Sequence, residues 1–300
     1  MASGILSDWY FITFFNEKIT IVTDFSKKSK DEKIYCVYIR FVLHLNDKQL
    51  KNTITMKKII LLLALCFTAN NFFAQTTDPN QLKNEGNDAL NAKNYAVAYE
   101  KYSEYLKLTN NQDSVTAYNC GVCADNIKKY NEAANYFDIA IKKGYNLANA
   151  YIGKSAAYRD MKNNKEYIAT LAEGIKAVPG NATLEKLYAI YYLKEGQKFQ
   201  QAGNIEKAEE NYKHATDVSS KKWKTDALYS LGVLFYNNGA SVLQKATPLA
   251  NSNKEKYASE KAKADADFKK AVDYLGEAIT LSPNRTEIKQ MQDQAKGMIK

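Results

Sequence analysis

"GNDALNAKNYAVAYEKYSEYLKL" (Gly86–Leu108), "GVCADNIKKYNEAANYFDIAI" (Gly121–Ile141) and "GQKFQQAGNIEKAEENYKHAT" (Gly196–Thr216) can be laid over one another without a gap. Each opens on a glycine, and twelve residues later comes an alanine: Ala98, Ala133, Ala208. Four residues beyond each alanine is a large ring: Tyr102, Phe137, Tyr212. Seven beyond it stand Tyr105, Ala140 and Ala215, and three before it an apolar side chain, Tyr95, Tyr130 or Ile205. Offsets of three, four and seven place these residues on one face of a helix. A pattern that returns along the chain has to be read as a repeat before anything else is decided.

The pattern resembles the tetratricopeptide repeat, a 34-residue helix–turn–helix with glycine on helix A and alanine on helix B. The small residues let the two antiparallel helices approach closely, and the ring fills the wedge between one pair and the next. Two further units are offset. Gly153 is followed by Tyr167, Leu171 and Gly174 two residues late, with Pro179 closing the unit. Gly232 is followed by Ala271, Leu275, Ala278 and Pro283, but with a long insertion between glycine and alanine. The resemblance covers 79–284, with units at about 79–113, 114–146, 147–181, 182–222 and 223–284. It implies an all-α fold: a right-handed superhelical solenoid of about five units, with A helices on the concave face. "RTEIKQMQDQAKGMIK" (285–300) is expected to cap the last pair.

Ahead of the repeats, "MKKIILLLALCFTANNFFAQ" (Met56–Gln75) has the order of an export signal. Lys57 and Lys58 precede an apolar run from Ile59 to Phe67, and the small Ala74 stands before Gln75. The run is shorter than the roughly 20 apolar residues that span a bilayer. Acylation at Cys66 is disfavoured because Leu65 stands where that signal wants a small residue. The expectation is a signal peptide at 56–74 and a working protein beginning at Gln75, in a bacterial periplasm or associated with the cell envelope. Residues 1–55 are read as a mis-assigned upstream leader without structure, although "WYFITFFNEKITIV" and "KIYCVYIRFVLHL" have strand composition.

The chain has 42 Lys and Arg against 33 Asp and Glu, a net charge of +9, and the excess is smaller from Gln75 onward. Its charges are interspersed, which is not a nucleic-acid footprint, and no nucleic-acid partner is expected. From Gln75 onward only Cys120 and Cys123 remain, so no disulfide framework is present. "CGVC" has the spacing of a thiol oxidoreductase motif, but it falls inside a helix A around the repeat's own glycine, where packing is the expected role. A disulfide between the two stays geometrically open, because i and i+3 on a helix lie near the usual Cα separation. The lone histidine of this part, His214, has no second ligand one turn away. No phosphate loop or nucleophile elbow occurs, so no enzyme, metal or cofactor is expected.

The expected site is a partner-binding groove on the A helices. Its residues are Lys83, Asn87 and Asn91; Tyr118, Asn119, Asp125 and Asn126; Lys154 and Tyr158; Gln197 and Gln201; and Tyr229, Tyr236 and Asn237. Amides both donate and accept, and phenols stack and hydrogen-bond, which suits a peptide or helix of a partner protein. Lys83, Asn87 and Asn119 also match the family's carboxylate clamp. The third A helix departs from it, with Leu147 and Tyr151 where two cations are needed, so the clamp is rejected. The insertion at 240–267 is expected to project as a helical hairpin turning near Pro248–Ser252 and to be separable from the stack. The functional expectation is an exported, non-catalytic interaction scaffold. Its alternatives are an assembly factor peripheral to a membrane complex of the envelope, and a thiol oxidoreductase using Cys120 and Cys123.

Overall fold

The computed structural model describes residues 11–15, 18–22 and 78–299. The expected signal peptide at 56–74, the start at Gln75 and "KIYCVYIRFVLHL" lie outside the described residues. The chain divides into two units, Met1–Thr76 and Thr77–Lys300. In the first, strands β1 (Phe11–Phe15) and β2 (Lys18–Val22) pair antiparallel, with Phe11 opposite Val22 and Phe15 opposite Lys18. This corrects the expectation of a leader without structure at those positions. Phe, Ile, Thr and Val are the residue types that suit a pleated strand.

The described residues of the second unit are all-α. Four helix pairs follow one another: α1 (Pro79–Asn91) with α2 (Tyr95–Leu108), α3 (Ser114–Asn126) with α4 (Tyr130–Lys142), α5 (Leu147–Asp160) with α6 (Asn164–Ala177), and α7 (Ala182–Gln201) with α8 (Ile205–His214). The fifth pair is α9 (Lys221–Ala246) with α11 (Lys254–Leu281), and the short α10 (Leu249–Ser252) lies between them. Helix α12 (Thr286–Met298) packs on α11 and closes the stack. Each pair touches the next, so residues 78–299 form a solenoid of stacked hairpins.

The helices begin and end where local chemistry tells them to. Side chains of Asp78, Asn94, Asp113, Asn163, Asn181, Asn204 and Asn253 each accept a first-turn N–H of the helix that follows. Five asparagines are therefore used in capping. The turn inside each of the first four pairs is one structure repeated. Helix A ends, one residue takes positive φ (Lys93 57°, Lys128 62°, Lys162 58°, Gly203 73°), and helix B begins two residues later. In the first, Asn94 N–H donates to the Ala89 carbonyl (2.8 Å) and Lys93 N–H to that of Leu90 (2.9 Å). The same two bonds recur at the other three turns, which is the Schellman arrangement. Only Gly203 adopts this conformation free of a Cβ penalty.

Packing follows the glycine, alanine and ring positions. Ala98, Ala133, Ala208 and Ala271 are wholly buried. A Cβ on Gly86 would lie 2.6 Å from the Tyr102 ring, and one on Gly196 would lie 2.5 Å from that of Tyr212. In the fifth pair Leu275 replaces the ring and fills the place beside Gly232. The offset third pair buries Tyr167, Leu171 and Gly174 as one face of α6.

The inserted arm is the continuation of α9 and α11, which run antiparallel: Thr225 pairs with Ser282, and Asn238 donates to Asp267 (2.8 Å). Its two arms pack closely on each other at the base. Gly239 sits against the Ala264 carbonyl and the Phe268 ring, and Ala246, Ala264 and Phe268 are buried. Ala264 of the return arm therefore acts as a close-approach residue, while Ala258, Ala262 and Ala266 face solvent.

Candidate partner-binding cleft

Successive A helices α3, α5, α7 and α9 touch one another directly. Between α7 and α9 a bridge of buried polar groups sets their relation. Glu185, in the first turn of α7, is 3% exposed. Its carboxylate accepts the backbone N–H of Gly180 (3.0 Å), Ser219 (3.1 Å) and Ser220 (2.8 Å), together with the Ser219 hydroxyl. Ser220 is the N-cap of α9, so the two helices start side by side and run in the same direction. Burial by itself pushes the Glu185 carboxyl up. The bonds from Ser219, Gly180 and Ser220 outweigh it and hold the group below its ordinary value.

Beyond this bridge the helices diverge around a cleft of about 920 Å³. One wall is α7, with Ile190, Leu193, Lys194, Gln197, Gln200 and Gln201. The other is α9, where Tyr229, Val233, Asn237, Ser241 and Lys245 follow at every fourth residue, flanked by Asp226, Ser230 and Asn238. Gly203, Ile205 and Tyr212 contribute from the turn and α8. The Tyr212 hydroxyl donates to Gln200 (2.7 Å), and Arg285 pairs with Asp226 and lies 5.7 Å from the Tyr229 ring centre. The amides of Gln197, Gln201 and Asn237 have no hydrogen-bond partner among the described residues. Free carboxamides beside a phenol and aliphatic side chains can bind a backbone and an apolar side chain together.

The structure gathers Gln197, Gln201, Tyr229 and Asn237 of the expected groove into this cleft. It does not bring the other ten there. Lys83 reaches Asp113 (2.6 Å), the N-cap of α3, which also accepts from Tyr105, Thr116 and Val115. Asn87 accepts from the Tyr102 hydroxyl (2.8 Å), Asn119 is half-buried beside the same phenol, and burial pushes that phenol up to about 12. Lys154 pairs with Asp138 (2.6 Å). Tyr118 packs edge-on against Phe137 and Tyr145, and Tyr158 touches the core on both sides. Tyr236 packs its ring on Phe268 of α11. Burial, followed by the neighbouring Asp160, holds the Asp125 carboxyl above its ordinary value, and its Oδ1 has no partner. Asn91 is exposed, and Asn126 donates to the Val122 carbonyl of its own helix.

Sequence reasoning missed Ile190, Leu193, Lys194, Val233, Ser241 and Lys245. The four-residue ladder on α9 is legible in the sequence, but its last two members lie in the insertion, outside the repeat pattern that defines the groove. Cys120 and Cys123 are free thiols with no exposed surface, packed between the first two units. Burial pushes the Cys123 thiol up to about 11 and that of Cys120 further. His214 lies against the Tyr192 ring (4.7 Å between centres) with Asp217 at 3.4 Å.

The class defined by these features is a solenoid of helix hairpins whose A helices line an open, amide-rich cleft. No family model matches the chain. Its sequence is 93% identical to that of a TPR repeats protein from Bacteroides fragilis, whose crystal structure superposes with a TM-score of 0.73. That match covers 75% of this chain and 100% of the other. The chain belongs to the tetratricopeptide-repeat family. It is also 32% identical over 98 residues to human sperm-associated antigen 1, a match covering 33% of this chain; the chain spans only 10% of that relative's length.

Proposed function

We propose that the chain is a protein–protein interaction scaffold that holds a peptide or helix of a partner in the cleft between α7 and α9, without catalysis. The observation that carries this reading is the cleft itself, where three unpartnered amides and the Tyr229 ring meet on two rigid helices. Aromatic anchors with convergent polar groups are what recognition needs. The buried thiols count against an oxidoreductase, because a thiolate nucleophile needs access and a lowered pKa. Export through the segment at 56–74, to the periplasm or envelope, belongs to the same proposal and rests on its n-region, apolar run and Ala74.

The test is capture of partners from an envelope fraction by the purified protein, the Tyr229→Ala/Asn237→Ala variant and the Tyr118→Ala/Tyr158→Ala variant. Loss of capture with the first pair is expected, with circular dichroism showing the fold retained. Capture that survives the first pair and fails with the second places binding elsewhere on the A helices.

A further inference from the structure

The "CGVC" motif has no part in the cleft, and its two thiols sit where the first helix pair meets the second. Cys120 and Cys123 share a buried cluster with Ala98, Tyr102 and Leu106 of α2 and Ala117 of α3. Cys120 Sγ lies 3.9 Å from the Tyr99 carbonyl oxygen of α2. Ala89 and Leu90 of α1, with Tyr136 and Ile139 of α4, complete the cover. Between the cysteines stands Gly121, whose Cβ position is 3.0 Å from the Phe137 ring. Side chains three apart on a helix have Cβ atoms roughly 5–6 Å apart, whereas a disulfide requires about 3.8 Å. The Cα separation suits a bond and the Cβ separation does not. Joining the two sulfurs therefore requires α3 to distort across Gly121, between the face that seats α2 and the glycine that seats Phe137.

We infer that Cys120 and Cys123 form a redox-sensitive latch on the first repeat: docked, the α1–α2 hairpin keeps them reduced, and once they are bonded it no longer docks. The latch is independent of the cleft between α7 and α9. Within residues 78–299 the α1–α2 hairpin stacks on one side only, against α3, and local opening starts at such ends. Opening uncovers both thiols together. One, as thiolate, attacks an external disulfide and expels a thiolate, leaving a mixed disulfide; the other then displaces the remaining thiolate. The cysteines lose two protons and two electrons, and the oxidant leaves as two thiols. Disulfide oxidants belong to extracytoplasmic compartments, where the proposed export would bring the chain.

The experiment treats the reduced full chain, with Cys36→Ser and Cys66→Ser, with oxidised glutathione. Peptide mass mapping follows the Cys120–Cys123 bond, and hydrogen–deuterium exchange follows the helices. The bond is expected to form slowly in this parent and roughly tenfold faster or more in Ala117→Leu, which overpacks the α2–α3 joint. Ala271→Leu, at a wholly buried position of the fifth pair, should leave the rate unchanged. Urea below the unfolding transition should speed the parent as Ala117→Leu does, and makes the same test if that variant does not fold. The oxidised parent should lose exchange protection in α1–α3, keep it in α7–α12 and regain it on reduction. Cys120→Ala/Cys123→Ala should be indifferent to the oxidant. Protection unchanged by the bond overturns the latch. So does a bond that never forms in folded protein, or one that forms equally fast in Ala117→Leu and Ala271→Leu.

Discussion

Gly153 of α5 lies flat against the ring of Phe137 on α4, where a Cβ would come within 2.5 Å of Cζ. The same ring covers Gly121 of its own pair, at 3.0 Å from the Cβ position. One side chain thus closes its own hairpin and seats the next, which is how a stack of units that cannot fold alone becomes continuous.

Gly153→Ala should therefore overpack the joint and lower stability by roughly 1–3 kcal/mol. Ala133→Leu, at a position with no exposed surface, should cost a similar amount. Gly297→Ala is the control: nothing lies within 4 Å of its Cβ position. It should be neutral or slightly stabilising, since alanine favours helix. Urea denaturation followed by circular dichroism decides it, and equal midpoints for all three would refute the packing assignment.

The repeated turn offers a gain in stability. Lys128 and Lys162 hold positive φ at the position that Gly203 occupies in the fourth pair. A left-handed conformation costs a residue with a Cβ about 1 kcal/mol relative to glycine. Lys128→Gly and Lys162→Gly should each be neutral or stabilise by up to about 0.5 kcal/mol once the greater freedom of unfolded glycine is subtracted. A loss at both sites would contradict the Schellman geometry.

Acid sensitivity should run through Glu185. Its native pKa lies below the ordinary 4.5, so the unfolded chain takes up the proton more readily. The stabilisation is fully present above about 4.5 and is lost as pH falls through the lower native value. Glu185→Gln should cost roughly 2 kcal/mol at neutral pH, by loss of charge-assisted bonds from Ser219, Gly180 and Ser220. Its melting temperature should also fall less steeply than that of the parent between pH 5 and pH 3. Parallel pH profiles would show that the bridge does not couple α7 to α9.

Both thiols should resist a maleimide in the native protein and react together on unfolding. Cys120 and Cys123 are 0% exposed, and burial pushes the latter up to about 11. Mass spectrometry over a denaturant series reads this directly. Rapid native labelling would reopen the oxidoreductase reading.

The start of the working protein is open to the simplest test. If the segment at 56–74 is removed on export, the N-terminal peptide of native material begins at Gln75. Peptides from residues 1–50 in that material would refute it.

The sequence by itself determined the hairpins, their order and the joints between them. Those depend on side chains three to sixteen residues apart, within a helix or between one helix and the next, and the repeated spacing carries such relations without reference to the rest of the chain. It also located the arm, because the alanine pattern visibly pauses and resumes at Ala271. What it could not determine was which groove residues remain free. Lys83 is answered by Asp113 thirty residues on, Lys154 by Asp138 and Tyr236 by Phe268. The availability of a polar or aromatic side chain depends on neighbours that only packing brings near. For the same reason Ser241 and Lys245 belong to the cleft: α9 runs unbroken into the insertion, and its parallel start beside α7, set by Glu185, carries their face along the groove.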